Sequence, residues 1–220
     1  MRVAEFIFSE MWEYLFEGEN GDHKEAYREL EEEYTLLYRD YHDINHIEEG
    51  VLYLYKFDKW PEGATGLRMK WTSILAFFYH DFDNPRNTEA EIKSALKMQA
   101  IVIDWMDYTI YPPKHIFARV MGMVDHAYNA IVDTATHESS TIIGQMVIDA
   151  DLMRFVEGDW RVWSQQIRNE YREYSDEAFN AGRRVVLERF RRRSPFFYFV
   201  QHRDCDAYRN LDEQIAELTT

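Results

Sequence analysis

The apolar residues of this chain recur at the spacing of a helix face, and little interrupts them. Ala4, Ile7, Phe8, Met11, Trp12, Leu15 and Phe16 are separated by steps of three and four, with Glu5, Glu10, Glu13 and Glu17 between them. Such a pattern buries one side of a helix and solvates the other. Nine glycines and five prolines in 220 residues are about half the average share of roughly 7% and 5%. There is no alternating strand pattern, no Asn-Gly hairpin signal, no fixed-period repeat and no low-complexity linker. An all-α fold is expected, as one helical domain over residues 1–220 with residues 1–33 as an acidic N-terminal helical extension.

The first helix should end at Gly18 or Gly21. A second is predicted from about His23 to Asp40, where Glu29, Glu31, Glu32 and Glu33 form a solvated face. The segment HIEEGVLYLYKF reads as a third, closing before Trp60-Pro61-Glu62-Gly63. In GLRMKWTSILAFFYHD, Leu67, Met69, Ile74, Leu75, Phe78 and Tyr79 are so dense that this helix should be buried on most sides. It must stop near Asp83-Asn84-Pro85, because proline disfavours helix in the residue before it. Thr88-Glu89-Ala90-Glu91 matches a capping box that would open the next helix. Tyr111-Pro112-Pro113 closes the connection after that helix. Further helices are predicted at about 114–127, 140–155, 159–173, 176–193 and 202–218.

Forty acidic against 25 basic side chains give a formal charge of −15, which argues against a nucleic-acid polymer or an anionic membrane as partner. The one cysteine, Cys205, allows neither an intrachain disulfide nor a CxxC zinc site. With no signal-peptide pattern at the N-terminus and no uncharged stretch near the roughly 20 residues of a membrane span, a cytoplasmic protein is expected.

His80 and Asp81 stand side by side at the end of the most apolar helix, a costly place for ionisable groups unless something compensates them. A metal ion would do so if other ligands reached it. His46 opens an earlier helix, and Asp149 or Asp151 lies in another apolar one. Histidine nitrogens with carboxylate oxygens suit manganese, cobalt, nickel, iron or zinc, and suit magnesium less. Ligands on separate helices can converge in the core of a bundle.

The order of these residues resembles the HD superfamily of metal-dependent phosphohydrolases, in particular its small predicted-phosphohydrolase branch. Tyr41-His42-Asp43-Ile44-Asn45-His46-Ile47 and Phe78-Tyr79-His80-Asp81 carry the likeness. It continues through Glu91-Ile92-Lys93-Ser94-Ala95, Asp149-Ala150-Asp151-Leu152, Ile167-Arg168-Asn169-Glu170-Tyr171, Gly182-Arg183 and Asn210-Leu211, roughly residues 35–215. Met123-Val124-Asp125-His126 keeps that family's histidine without its threonine, and HDFDNPRN lacks the tyrosine usual after the His-Asp pair.

The resemblance implies an HD-domain-like bundle with metal ligation by His46, His80, Asp81 and Asp151. Asp149 and Asp151, two apart on a helix, face about 200° from each other, so only one can point at the ion; Asp151 is the choice. It further implies hydrolysis of a small phosphorylated metabolite, with a nucleotide as the leading candidate. His42, four residues before His46, would share its face if the helix already includes it, and could give a proton to the leaving group. Glu91 is either a helix cap or a group orienting water. Asp149 would activate water or steady a histidine. Lys93, Arg168 and Arg183 are candidates for phosphate oxygens, although Arg168 could equally pair internally with Glu170. His126 would serve phosphate or a second metal. A non-catalytic nucleotide-binding or regulatory module of the same fold is the alternative reading. A di-iron oxygenase would need more histidines than His126 supplies. Homo-oligomerisation stays open.

Overall fold

A computed structural model describes residues 1–17, 23–108 and 113–218. Gly18, Gly21, Tyr111 and Pro112, where helix ends are expected, lie outside the described residues. Those described are all-helical: α1 (Val3–Phe16), α2 (His23–Tyr34), α3 (Ile44–Lys56), α4 (Gly63–Tyr79), α5 (Ala90–Tyr108), α6 (Lys114–Thr134), α7 (Ile142–Leu152), α8 (Trp160–Glu170), α9 (Asp176–Arg191) and α10 (Asp204–Glu217). Two 3₁₀ turns, Met153–Phe155 and Gln201–Arg203, complete the set. No strand occurs among the described residues, and none of their helices is long and apolar enough to cross a membrane.

The chain forms two compact units, residues 1–36 with 42–150, and residues 37–41 with 151–220. The boundary after Ala150 falls inside α7. In the first unit α4 is the central element: Trp71 to Tyr79 are buried without a gap, and the helix packs on α1, α3, α5 and α6. The seven apolar residues of the α1 stripe are all buried. Phe8 meets Phe78 edge-on at 5.1 Å, and Trp12 meets Trp105 in the same way at 5.4 Å. The buried faces of α1 and α2 are therefore part of the first unit's core.

Several boundaries differ from the sequence expectation, among them the end of α8 at Glu170 instead of about 173, and three have a local cause. Helix α2 stops at Tyr34 instead of Asp40. Thr35 there turns its hydroxyl onto the carbonyls of Glu31 and Glu32, which lack helical N–H partners at a C-terminus. Leu37 beyond it is 94% exposed, so no apolar face remains to continue the helix. The expected capping box also fails, since α5 opens at Ala90, and the carbonyl of Glu89 accepts its first bond from Lys93 N–H. Thr88 thus lies too early to be the N-cap, and Glu91 sits at the second helical position. Third, α6 runs on to Thr134, because Ala127, Ala130 and Ile131 prolong its buried stripe past residue 127.

The second unit is built around aromatic contacts. Phe155 meets Trp163, Phe190 and Phe196 edge-on at 5.2, 5.3 and 5.5 Å. Phe196 and Phe197 are fully buried, and the Asp204 carboxylate accepts both their backbone N–H groups at 3.0 and 3.1 Å. Both backbone groups of Tyr41 are also held here. Glu170 Oε1 accepts its N–H at 2.8 Å, and Arg154 donates to its carbonyl at 3.1 Å. Arg189 and Arg191 lie in the last turn of α9, where cations meet the negative end of the helix dipole.

Candidate metal centre

The end of α4 fixes two of the four expected ligands. An α-helix leaves its last carbonyls without N–H partners, and three groups serve them here. Tyr34, fully buried, donates its hydroxyl to the Phe78 carbonyl at 3.0 Å. Phe82 N–H reaches the Tyr79 carbonyl at 3.2 Å. His80 Nδ1 lies 2.8 Å from the Phe77 carbonyl. A carbonyl oxygen only accepts, so this bond places the ring proton on Nδ1 and leaves the Nε2 lone pair facing away from the helix. Asp81 follows directly.

His46 comes from the first turn of α3. Asp43 is the N-cap, and its carboxylate accepts the N–H groups of Asn45 and His46 at 3.0 and 2.9 Å. The cap locks the turn that carries the imidazole. Gly50, one turn further, lets α3 approach α4, since a Cβ there would fall inside the Phe77 ring. That ring lies 4.3 Å from the His80 ring and 5.6 Å from the His46 ring, centroid to centroid. Phe77 is fully buried and forms the dry wall behind both imidazoles.

His46, His80, Asp81 and Asp151 each bring one ligand atom into a group whose atoms all lie within 4.8 Å of one another. The histidines are each 1% exposed; the carboxylates are partly exposed. Asp151 stands near the end of α7, and Asp149, two residues before it, is fully buried and outside the group. His80 Nε2 is 2.9 Å from Asp81 Oδ2, and His46 Nε2 is 3.7 Å from the same oxygen. With the His80 proton on Nδ1, Nε2 and the carboxylate are two acceptors at hydrogen-bond distance. They need a proton or a cation to share, and a divalent ion with mixed nitrogen and oxygen ligation fits the set.

His42 also reaches this centre, by another route than a shared helix face. It precedes the N-cap of α3, yet its ring stands 6.1 Å from that of His46 at 90°, and its Nε2 is 4.0 Å from Asp81 Oδ2. Its side chain is 19% exposed, the most open of the three histidines.

The remaining candidates are placed elsewhere. Glu91 is half-buried in the first turn of α5; Lys93 and His126 are exposed on α5 and α6. Arg168 does not pair with Glu170. It bonds Asp176 at 3.0 and 2.7 Å and the carbonyls of Tyr171 and Tyr174, while Glu170 turns inward to Tyr41. An arginine has more donors than one carboxylate satisfies; the α8–α9 connection supplies two carbonyls and the first residue of α9 the carboxylate. Arg183 lies in the second unit, its guanidinium 5.8 Å from the Trp163 ring.

Sequence reasoning missed the supports: Phe77 behind the rings, Tyr34 on the α4 carbonyl, and Ser94. Ser94 is fully buried and its hydroxyl accepts Asp83 N–H at 2.8 Å, fixing the segment after His80-Asp81. Only Ser94 had a signal, as part of the Glu-x-x-Ser-Ala segment.

No protein-family model, no curated protein and no solved structure matches this chain.

Proposed function

We propose that the chain is a metal-dependent phosphohydrolase of the HD type, acting on a small phosphorylated metabolite, with a nucleotide as the leading candidate. The observation that carries this reading is the convergence of His46, His80, Asp81 and Asp151 within 4.8 Å, on α3, the end of α4 and α7. Its order and ligand types are those the resemblance to the HD superfamily implies. These four residues would hold one divalent ion, of manganese, iron, cobalt, nickel or zinc. A bound ion of this kind supplies Lewis acidity toward a phosphoryl oxygen and lowers the pKa of water toward neutrality.

The chain's own residues do the rest. The bond from His80 Nδ1 to the Phe77 carbonyl fixes that ring's tautomer, and Phe77 keeps water off the inner side of both imidazoles. His42 stands 4.0 Å from Asp81, at ion-pair and not hydrogen-bond distance, and is open enough to meet substrate. It is the group to hand a proton to the leaving oxygen. The charge of −15 disfavours a polyanionic polymer, so the substrate is small and bound locally.

Purified protein with manganese or cobalt should release phosphate or pyrophosphate from some member of a nucleotide panel. The double variant His80→Ala, Asp81→Ala should release none, and persistent activity in it would sink the assignment. A second reading, a nucleotide-binding module without turnover, rests on the family residues this chain lacks, the threonine at the Met123-Val124-Asp125-His126 segment and the tyrosine after the His-Asp pair. Calorimetric binding of a nucleotide with no product over hours would select it.

A further inference from the structure

The second unit contains a cavity of about 400 Å³ walled by α8, α9 and α10, within the range of small-ligand pockets. Three arginines line it, and two are neutralised internally. Arg161 pairs with Glu217 at 3.3 Å and Arg168 with Asp176 at 2.7 Å. Arg183 differs. Among the described residues it has no carboxylate partner; its one hydrogen bond runs from Nη2 to Gln214 Oε1, at 3.4 Å. Burial lowers the pKa of its guanidinium to about 10, so it still carries its charge at neutral pH in surroundings that solvate it poorly.

Gln214 shows the same deficit. It is 3% exposed. Arginine only donates, so the contact with Arg183 assigns Oε1 to that side, and the Ser164 hydroxyl donates to the same oxygen at 3.3 Å. Gln214 Nε2 is left buried with no acceptor among the described residues. A buried amide donor in that state costs free energy until something accepts from it. A cation without a counter-charge and an amide without an acceptor thus line one cavity, beside the Trp160 and Phe179 rings.

We propose that this cavity binds a small metabolite through one oxyanion group, a phosphate or a carboxylate, held by the Arg183 guanidinium and Gln214 Nε2. A guanidinium fork takes two oxygens of such a group, and the amide donates to one of them. The cavity's lining includes none of the four proposed metal ligands, and its proposed contacts need no bound ion.

The test is calorimetric titration of the full chain in chelator, at constant ionic strength set with chloride, using inorganic phosphate, AMP and succinate as probes. Saturable binding of at least one probe is expected, and which one binds tells phosphate from carboxylate. Arg183→Lys, which keeps the charge and loses the fork, should weaken binding about tenfold or more. Gln214→Glu places a carboxylate beside Arg183 and should abolish binding while raising the melting temperature of the ligand-free chain, which separates lost binding from lost folding. No binding of any probe by the unaltered protein overturns the proposal. So does equal binding by Gln214→Glu. Because chelator is present throughout, neither result bears on the phosphohydrolase assignment.

Discussion

Asp81→Asn should stabilise the metal-free protein and abolish its response to metal. In the metal-free state with a neutral imidazole, His80 Nε2 and Asp81 Oδ2 are two acceptors 2.9 Å apart. Asp151 brings a second carboxylate. At an effective dielectric constant of about 20, two unit charges no more than 4.8 Å apart repel by about 3.5 kcal/mol or more. Asp81 is 16% exposed in its side chain, so water screens part of this, leaving a gain of about 1–3 kcal/mol when asparagine removes the charge. The asparagine amide also donates to Nε2. For a chain of this size that gain is a rise of about 2–12 °C in melting temperature in chelator. The unaltered protein should gain about 2.7 kcal/mol, or about 5–11 °C, with metal at about 100 times its dissociation constant. Asp81→Asn should gain under about 2 °C at that concentration. Melting followed by near-ultraviolet circular dichroism, with chelator or with manganese, cobalt, nickel, zinc or ferrous iron, reads both effects. If the variant melts lower than the unaltered protein in chelator, Asp81 belongs to a self-sufficient polar network and the metal reasoning is wrong.

Gly50→Ala would push a methyl into the Phe77 ring. Denaturant titration should show a loss of about 1–3 kcal/mol, and calorimetry a weaker metal affinity, because the wall behind His46 and His80 shifts. Tyr34→Phe removes the buried donor to the Phe78 carbonyl and should cost about 1–3 kcal/mol by the same titration. Asp43→Ala deletes the cap that accepts Asn45 and His46 N–H. It should cost about 1 kcal/mol and reduce metal affinity more than an equally destabilising change in α10.

The features legible in the sequence are those that depend on near neighbours. The α1 stripe predicts its buried face residue for residue, because helical periodicity is a local property. His80-Asp81 stands out because ionisable groups rarely end an apolar helix without a reason. Tyr41 illustrates what could not be read. Its two backbone partners, Glu170 and Arg154, lie 129 and 113 positions away, and nothing local marks either as its partner. Glu170 consequently looked like a mate for Arg168, whose acceptors are the Tyr171 and Tyr174 carbonyls and the Asp176 carboxylate, from the end of α8 to the start of α9. The end of α2 was misread for a related reason: LeuLeu at 36 and 37 prolongs the apolar pattern, but nothing packs on Leu37. Periodicity records that a face is apolar and does not say whether a surface meets it.

The geometry at the end of α4 resolves why an expensive pair is tolerated there. A buried helix must stop somewhere, and its final carbonyls must find donors in a place where water is scarce. A histidine just past the last helical residue meets that need with Nδ1–H, and the same bond turns Nε2 toward Asp81 as a lone pair. Terminating the helix and orienting a ligand are thus one interaction. Had a backbone N–H or a serine hydroxyl closed that carbonyl, the imidazole could take either tautomer and rotate. Because His80 closes it, the ring is oriented without an ion, and Nε2 faces the Asp81 carboxylate where a proton or a cation can bridge the two. The group that could hold a cation and the helix's need for a cap therefore depend on the same side chain.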